Sequence, residues 1–224
     1  RLIEENKYRF TVATAACPKE EGGISGDSVS FLETASGISV IALSDGMGSG
    51  ILAREESKSA IELLEQFIEA GFEKELAINM INSVLLLRSA EEKFATLDIC
   101  TVNLYTAKAE FMKMGAAAAY ILRDGKIIAI PSETLPVGIL RQVSMEKNDI
   151  ELKHNDMVLL MTDGIMEAVG EEQQDVAWLS SLFETFYSSN PQDVADYILQ
   201  EAQKKAKQGR KDDMTVIAGR FWEI

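Results

Sequence analysis

The apolar period of this 224-residue chain changes in blocks, and the order of those blocks limits the folds open to it. Short runs rich in β-branched and aromatic residues come first: Tyr8–Ala16, Ser28–Glu33 and Ile38–Leu43 read as strands. From Ala53 to Ala70 the period lengthens, with Ile61, Leu64, Phe67 and Ile68 at helical spacing, until Gly71 ends the pattern. Glu73–Arg88 repeats the stripe through Leu76, Met80, Val84 and Leu87. Strands return at Leu97–Tyr105, Glu110–Met114, Tyr120–Leu122 and Ile127–Ile130, which read as a meander, and again at Met157–Thr162. Two further helices are expected over Asp175–Phe186 and Pro191–Lys207, the second with Asn190 as N-cap and Pro191 at its first position. Met214–Phe221 closes the chain as a strand. Helices grouped in blocks, rather than one after each strand, predict an α+β fold with antiparallel sheets: a β-sandwich flanked by α-helices.

A single domain over residues 1–224 is the expected organisation, with 1–7 a frayed end or the tail of an upstream helix. No apolar run is long enough to span a membrane as a helix. The chain begins at Arg1 without a signal pattern, so it is expected to be a piece of a longer protein. The net charge of −14 opposes nucleic acid as a partner. Cys17 and Cys100, in apolar contexts, are expected to be buried free thiols of a reducing, cytoplasmic location. One histidine, His154, in a polar stretch is expected to be a solvated loop residue and gives no zinc site and no histidine-based nucleophile.

Four acidic places share one setting, a carboxylate at the edge of an apolar strand. They are Asp27 in Ser25-Gly26-Asp27-Ser28, Asp45 after Val40–Ser44, Asp163 after Val158–Thr162, and Asp212 with Asp213 before the last strand. Strand ends from distant segments can converge on one sheet edge, where gathered carboxylates repel unless a cation neutralises them. Mg²⁺ and Mn²⁺ take such hard oxygen donors, with an occasional backbone carbonyl. Any one Asp-Gly pair is by itself an ordinary turn. Asp124-Gly125 fits a two-residue hairpin and carries no chemistry. Asp45 is followed by a glycine-rich bend, Gly46 to Gly50, into a helix, whereas Asp163-Gly164 leaves open a short returning strand over Ile165–Val169.

Taken in order, Gly26-Asp27, Ser44-Asp45-Gly46-Met47-Gly48-Ser49-Gly50, Thr162-Asp163-Gly164-Ile165 and Asp212-Asp213-Met214-Thr215-Val216 resemble the metal-dependent protein phosphatases of the PP2C type. With Leu135-Pro136-Val137-Gly138 and Thr96-Leu97-Asp98, the pattern is similar to the branch that holds the phosphatase domain of stage II sporulation protein E. The likeness runs from about Tyr8 to Phe221. It implies α/β/β/α layers with two Mn²⁺ or Mg²⁺ ions at one sandwich edge. By motif position Asp45 would bridge the ions, the Gly46 carbonyl would ligate one, and Asp163 and Asp212 would complete the other site. Asp27, with Asp45, would be catalytic, Asp27 by holding a water. Asp213, where relatives often carry Asn, stands as the alternative ligand or as support.

The activity so implied is hydrolysis of a phosphoserine or phosphothreonine protein. The implied substrate is a phosphorylated anti-anti-sigma factor in sporulation control, the implied assembly a homodimer, and the longer protein would be held at the cytoplasmic face of a membrane. Two departures stand out. Met47 replaces the histidine that some eukaryotic members use as proton donor, and Glu20–Ile24 lacks their phosphate-gripping arginine. Two rivals are a pseudophosphatase acting as a regulatory binding module and a two-metal nuclease; the latter would need a basic groove, which the net charge of −14 opposes.

Overall fold

A computed structural model describes residues 5–48, 50–88, 94–141, 145–170, 175–206 and 212–224. Residues 1–4 of the expected frayed end, Ser49, and Lys207 of the last expected helix lie outside them. In chain order the elements are β1 (Tyr8–Cys17), β2 (Asp27–Glu33), β3 (Ile38–Asp45), α1 (Ile51–Glu69), α2 (Lys74–Arg88), β4 (Leu97–Asn103), β5 (Lys108–Met114), β6 (Ala119–Arg123), β7 (Lys126–Ile130), β8 (Glu146–Glu151), β9 (Met157–Met161), α3 (Asp163–Val169), α4 (Asp175–Thr185), α5 (Pro191–Lys205) and β10 (Met214–Glu223). The strands form two antiparallel five-stranded sheets, ordered β1-β10-β9-β6-β7 and β2-β3-β4-β5-β8. The expected α+β sandwich is present. Among the described residues no helix is long and apolar enough to cross a membrane.

Three apolar clusters give the layers. Side chains alternate along each strand, so the central strands serve two clusters at once. On β4, Cys100 and Val102 face the opposite sheet, while Leu97 and Ile99 meet Ile61 and Leu64 of α1 and Ile78 and Ile81 of α2. The other sheet gives Val158 and Leu160 to the sandwich interior, and Leu159 and Met161 to a cluster with Leu179 of α4 and Ile198 of α5. Burial on both faces explains why these strands read as unbroken apolar runs. Helix ends follow local chemistry: Asn190 accepts a hydrogen bond from Gln192 N ahead of α5, and Gly71 takes a left-handed φ of 79° past α1.

The structure departs from the sequence reading in three places. The expected meander is broken, because β4–β5 and β6–β7 belong to different sheets. The chain crosses between them at Gly115, whose φ is 63° and where a Cβ would lie 2.4 Å from the Pro136 ring. The possible strand at Ile165–Val169 is helix α3, ended by Gly170. β8 was not anticipated: Glu146–Glu151 alternates half-buried and exposed residues at a sheet edge, and its charges mask the strand pattern while discouraging edge pairing. The Asp124-Gly125 hairpin matches expectation, with φ of 49° and 74° between the paired Arg123 and Lys126. His154 is exposed, and Nδ1 accepts a hydrogen bond from Glu223 N. Cys100 is buried as expected, whereas Cys17 is only half-buried, with its Sγ donating to the Pro18 carbonyl.

Leu160 is fully buried between the sheets. Leu160→Ala is expected to cost about 2–5 kcal/mol, read as a lower urea midpoint at unchanged m-value.

Candidate active site at one end of the sandwich

At one end of the sandwich the interior-facing rows turn from apolar to polar together. Val29 gives way to Asp27 on β2, Leu43 to Asp45 on β3, Cys100 to Asp98 on β4 and Phe111 to Lys113 on β5. From the opposite sheet Leu160 is followed by Thr162, and Ile217 is preceded by Thr215. Asp27 and Asp45 are register partners. Period-two alternation along neighbouring strands therefore delivers polar side chains more than a hundred residues apart, Asp27 and Thr215 among them, to one place.

Asp45, Gly46, Asp163 and Asp212 line one cleft of about 170 Å³ with Met47, Thr96 and Pro136. Asp45 and Asp212 are half-buried, Gly46 is buried, and Asp163 is exposed on the first residue of α3. Asp27 is buried beside them. Thr215 Oγ1 donates to Asp27 Oδ2 at 2.6 Å and Thr162 Oγ1 at 3.3 Å, so hydroxyls of one sheet fix a carboxylate of the other. Asp213 accepts Lys19 N on Oδ1 and Gly26 N on Oδ2, both at 2.6 Å. Its two oxygens hold the loop before β2, which suits support rather than the alternative metal-ligand role. Close approach needs small residues: a Cβ on Gly46 would lie 1.9 Å from Ala53 O, and one on Gly164 2.0 Å from Asp213 O.

The charges strain against each other. Burial, then the charges of Asp27, Asp163 and Asp212, pushes the Asp45 carboxyl up to about 9. Burial raises Asp27 to about 6 against the pull of the Thr215 hydrogen bond. Asp163 is raised by burial and by Asp212. Without a counter-ion, a proton on Asp45 is shared with Asp27 and Asp163, whose carboxyls its hydrogen bonds lower. Asp27 Oδ1 has no other partner among the described residues. A hard divalent cation suits this set, since it would replace one reluctant proton and satisfy several oxygens. Among the described residues, no three acidic, histidine or cysteine side chains are already gathered as a closed cage.

Several neighbours escaped the sequence reading. Thr96 clamps Asp45: Thr96 N donates to Asp45 O and Asp45 N donates to Thr96 Oγ1, each at 2.8 Å, while Ser44 Oγ donates to Thr96 O. A threonine just before an apolar strand was the available signal. Arg54 of α1 donates from Nη1 to Asp27 O at 2.6 Å, a cation near the site that no motif marked. Lys113 and Asp98 form a buried ion pair, and a lone lysine inside an apolar strand was its only trace.

Two helix-covered antiparallel sheets with carboxylates at one open end define a PP2C-type phosphatase domain. The structure of the PP2C phosphatase domain of SpoIIE from Bacillus subtilis, with a fragment of its regulatory domain, superposes with a TM-score of 0.89 at 33% identity, covering 98% of this chain and 65% of that one. The chain belongs to the stage II sporulation protein E family, whose model matches residues 36–222. Stage II sporulation protein E of Bacillus subtilis is 33% identical over 214 residues, which are 96% of this chain and 26% of that protein; this chain thus spans about a quarter of that relative's length. Phosphoserine phosphatase RsbU of Bacillus subtilis is 24% identical over 200 residues, 87% of this chain and 58% of that protein.

The raised carboxyls set the sign of the pH response. In an unfolded chain an Asp titrates near 4. Above that pH the unfolded chain releases protons that folded Asp45 and Asp27 retain up to about 9 and about 6, so folding loses stability as pH rises. The melting temperature of metal-free protein is expected to fall between about pH 5 and 9, the fall shrinking in Asp45→Asn and with Mn²⁺. A melting temperature that climbs across this window would show that the acids do not repel.

Proposed function

We propose that this domain hydrolyses phosphoserine or phosphothreonine monoesters on a protein, with Mn²⁺ or Mg²⁺ held by Asp45, the Gly46 carbonyl, Asp163 and Asp212. The observation that carries this reading is the convergence of Asp45, Gly46, Asp163 and Asp212 on one cleft. When bound, two such ions neutralise phosphoryl charge and make a water nucleophilic at neutral pH.

The chain's own groups do the positioning. Thr96 fixes the backbone on both sides of Asp45, so the carboxylate is aimed before any ligand arrives. Thr162 and Thr215 occupy Asp27 Oδ2 and leave Oδ1 as the oxygen that takes the proton of the attacking water. The water oxygen bonds to phosphorus as the bond to the seryl or threonyl oxygen breaks. That leaving oxygen takes its proton from solvent, since Met47 supplies none. Arg54, whose Nη1 donates to the Asp27 carbonyl, would take the phosphate-gripping part in place of the missing arginine upstream.

Likeness to stage II sporulation protein E supports a finer proposal: the substrate is a phosphorylated anti-anti-sigma factor in sporulation control. RsbU, named a phosphoserine phosphatase, supports the phosphoserine class. A binding module without turnover is the rival, favoured by the open spacing of the acids among the described residues. Calorimetric Mn²⁺ titration beside a phosphatase assay separates the two.

Mn²⁺-dependent phosphate release from a phosphoserine protein tests the enzyme reading. Asp45→Asn and Asp163→Asn are each expected to lower kcat by about 10²–10³-fold or more, the scale of losing one group that stabilises transition-state charge. Undiminished turnover in either variant would remove that residue from the site.

A further inference from the structure

Beneath the acidic cleft lies a charge pair that the proposed chemistry does not use. Asp98 of β4 and Lys113 of β5 are register partners, and their side chains are 2% and 0% exposed. The Lys113 ammonium donates to Asp98 Oδ2 at 2.5 Å. Asp98 Oδ1 is buried and has no hydrogen-bond partner among the described residues. Such a pair adds little net stability, because desolvation offsets attraction and well-packed apolar residues commonly serve as well. The next interior residues, Cys100 and Phe111, are apolar, so an apolar pair here would simply have extended the core.

The unsatisfied oxygen has a place to act. Asp98 lines a cavity of about 20 Å³ with Asp45, Thr96, Thr162 and Asp163. That is room for about one water, and the cavity offers the two or more polar partners a buried water needs. With Oδ2 committed to Lys113, Oδ1 is the acceptor left to face it.

We propose that Asp98 is a positioning residue for the metal site: its Oδ1 accepts a hydrogen bond from a water in this cavity, and that water donates its other hydrogen to Asp45 or Asp163. Lys113 holds Asp98 in place and keeps it charged inside the sandwich. This rests on Asp45 and Asp163 being ligands, as proposed above. Loss of a group that orients metal ligands from behind typically weakens metal affinity by about 10–100-fold.

The test is calorimetric titration of the 224-residue chain with Mn²⁺ alone, without substrate, beside steady-state kinetics on a phosphoprotein. Asp98→Leu combined with Lys113→Met removes both charges and leaves no unpaired ammonium; Asp98→Val with Lys113→Leu, which likewise leaves no acceptor at position 98, is the second variant should the first not fold. The expected result is Mn²⁺ affinity weakened about 10–100-fold, with lower kcat, unchanged KM for the phosphoprotein and no loss of metal-free melting temperature. Mn²⁺ affinity within about twofold of the parent, whatever the melting temperature, would mark the pair as merely structural and overturns the proposal. A flat titration of the unsubstituted chain overturns the metal reading itself, and is told apart because the parent alone reveals it.

Discussion

Repulsion among Asp27, Asp45, Asp163 and Asp212 is the force that this end of the molecule is built to withstand. Coulomb energy between like charges grows as water is excluded, and here burial is the foremost reason that the Asp45, Asp27 and Asp163 carboxyls resist ionisation. The opposing restraint is covalent and hydrogen-bonded geometry. Strand register fixes Asp27 beside Asp45. Threonines of the facing sheet grip Asp27, and Thr96 locks the backbone at Asp45. Carboxylates held this way form a preorganised patch of negative charge, since the fold has already met the cost of assembling them.

The same restraint explains the glycines and the helices around the cleft. Gly46 lets the β3 end pass against Ala53 of α1, and Gly164 lets the start of α3 lie on the backbone of Asp213. Ser57 of α1 donates to the Gly26 carbonyl, and Arg54 to that of Asp27. One helix from each face of the sandwich thus reaches the cleft, so outer layers and site are mechanically continuous.

Much of the fold was legible because the core strands are buried on both faces and the amphipathic helices on one. Runs such as Val40–Leu43 and Met157–Met161 needed no partner to be recognised. Pairing was not legible. Nothing in Glu110–Met114 or Tyr120–Leu122 says that the chain changes sheets between them; that depends on Gly115 meeting Pro136. β8 was hidden by the charges that guard its edge, and α3 by a segment too short for its period to speak. At the site, acids next to glycine announced themselves. Thr96 and Asp98 stood out only as part of a family-like string and Lys113 not at all, because their roles come from what faces them across strands, which a linear pattern cannot display.

The first and last strands are neighbours: β1 pairs with β10 along its whole length, from Tyr8 opposite Glu223 to Cys17 opposite Met214. β10 also carries Thr215 against Asp27 and follows directly on Asp212 and Asp213. Contacts of such long sequence separation form late, after the entropy of closing nearly the full chain has been met. Without β10, β1 has no sheet to join, and Asp27 keeps the Thr162 hydrogen bond but loses the shorter one from Thr215, so the ordering of this end of the sandwich is tied to the pairing of strands some two hundred residues apart.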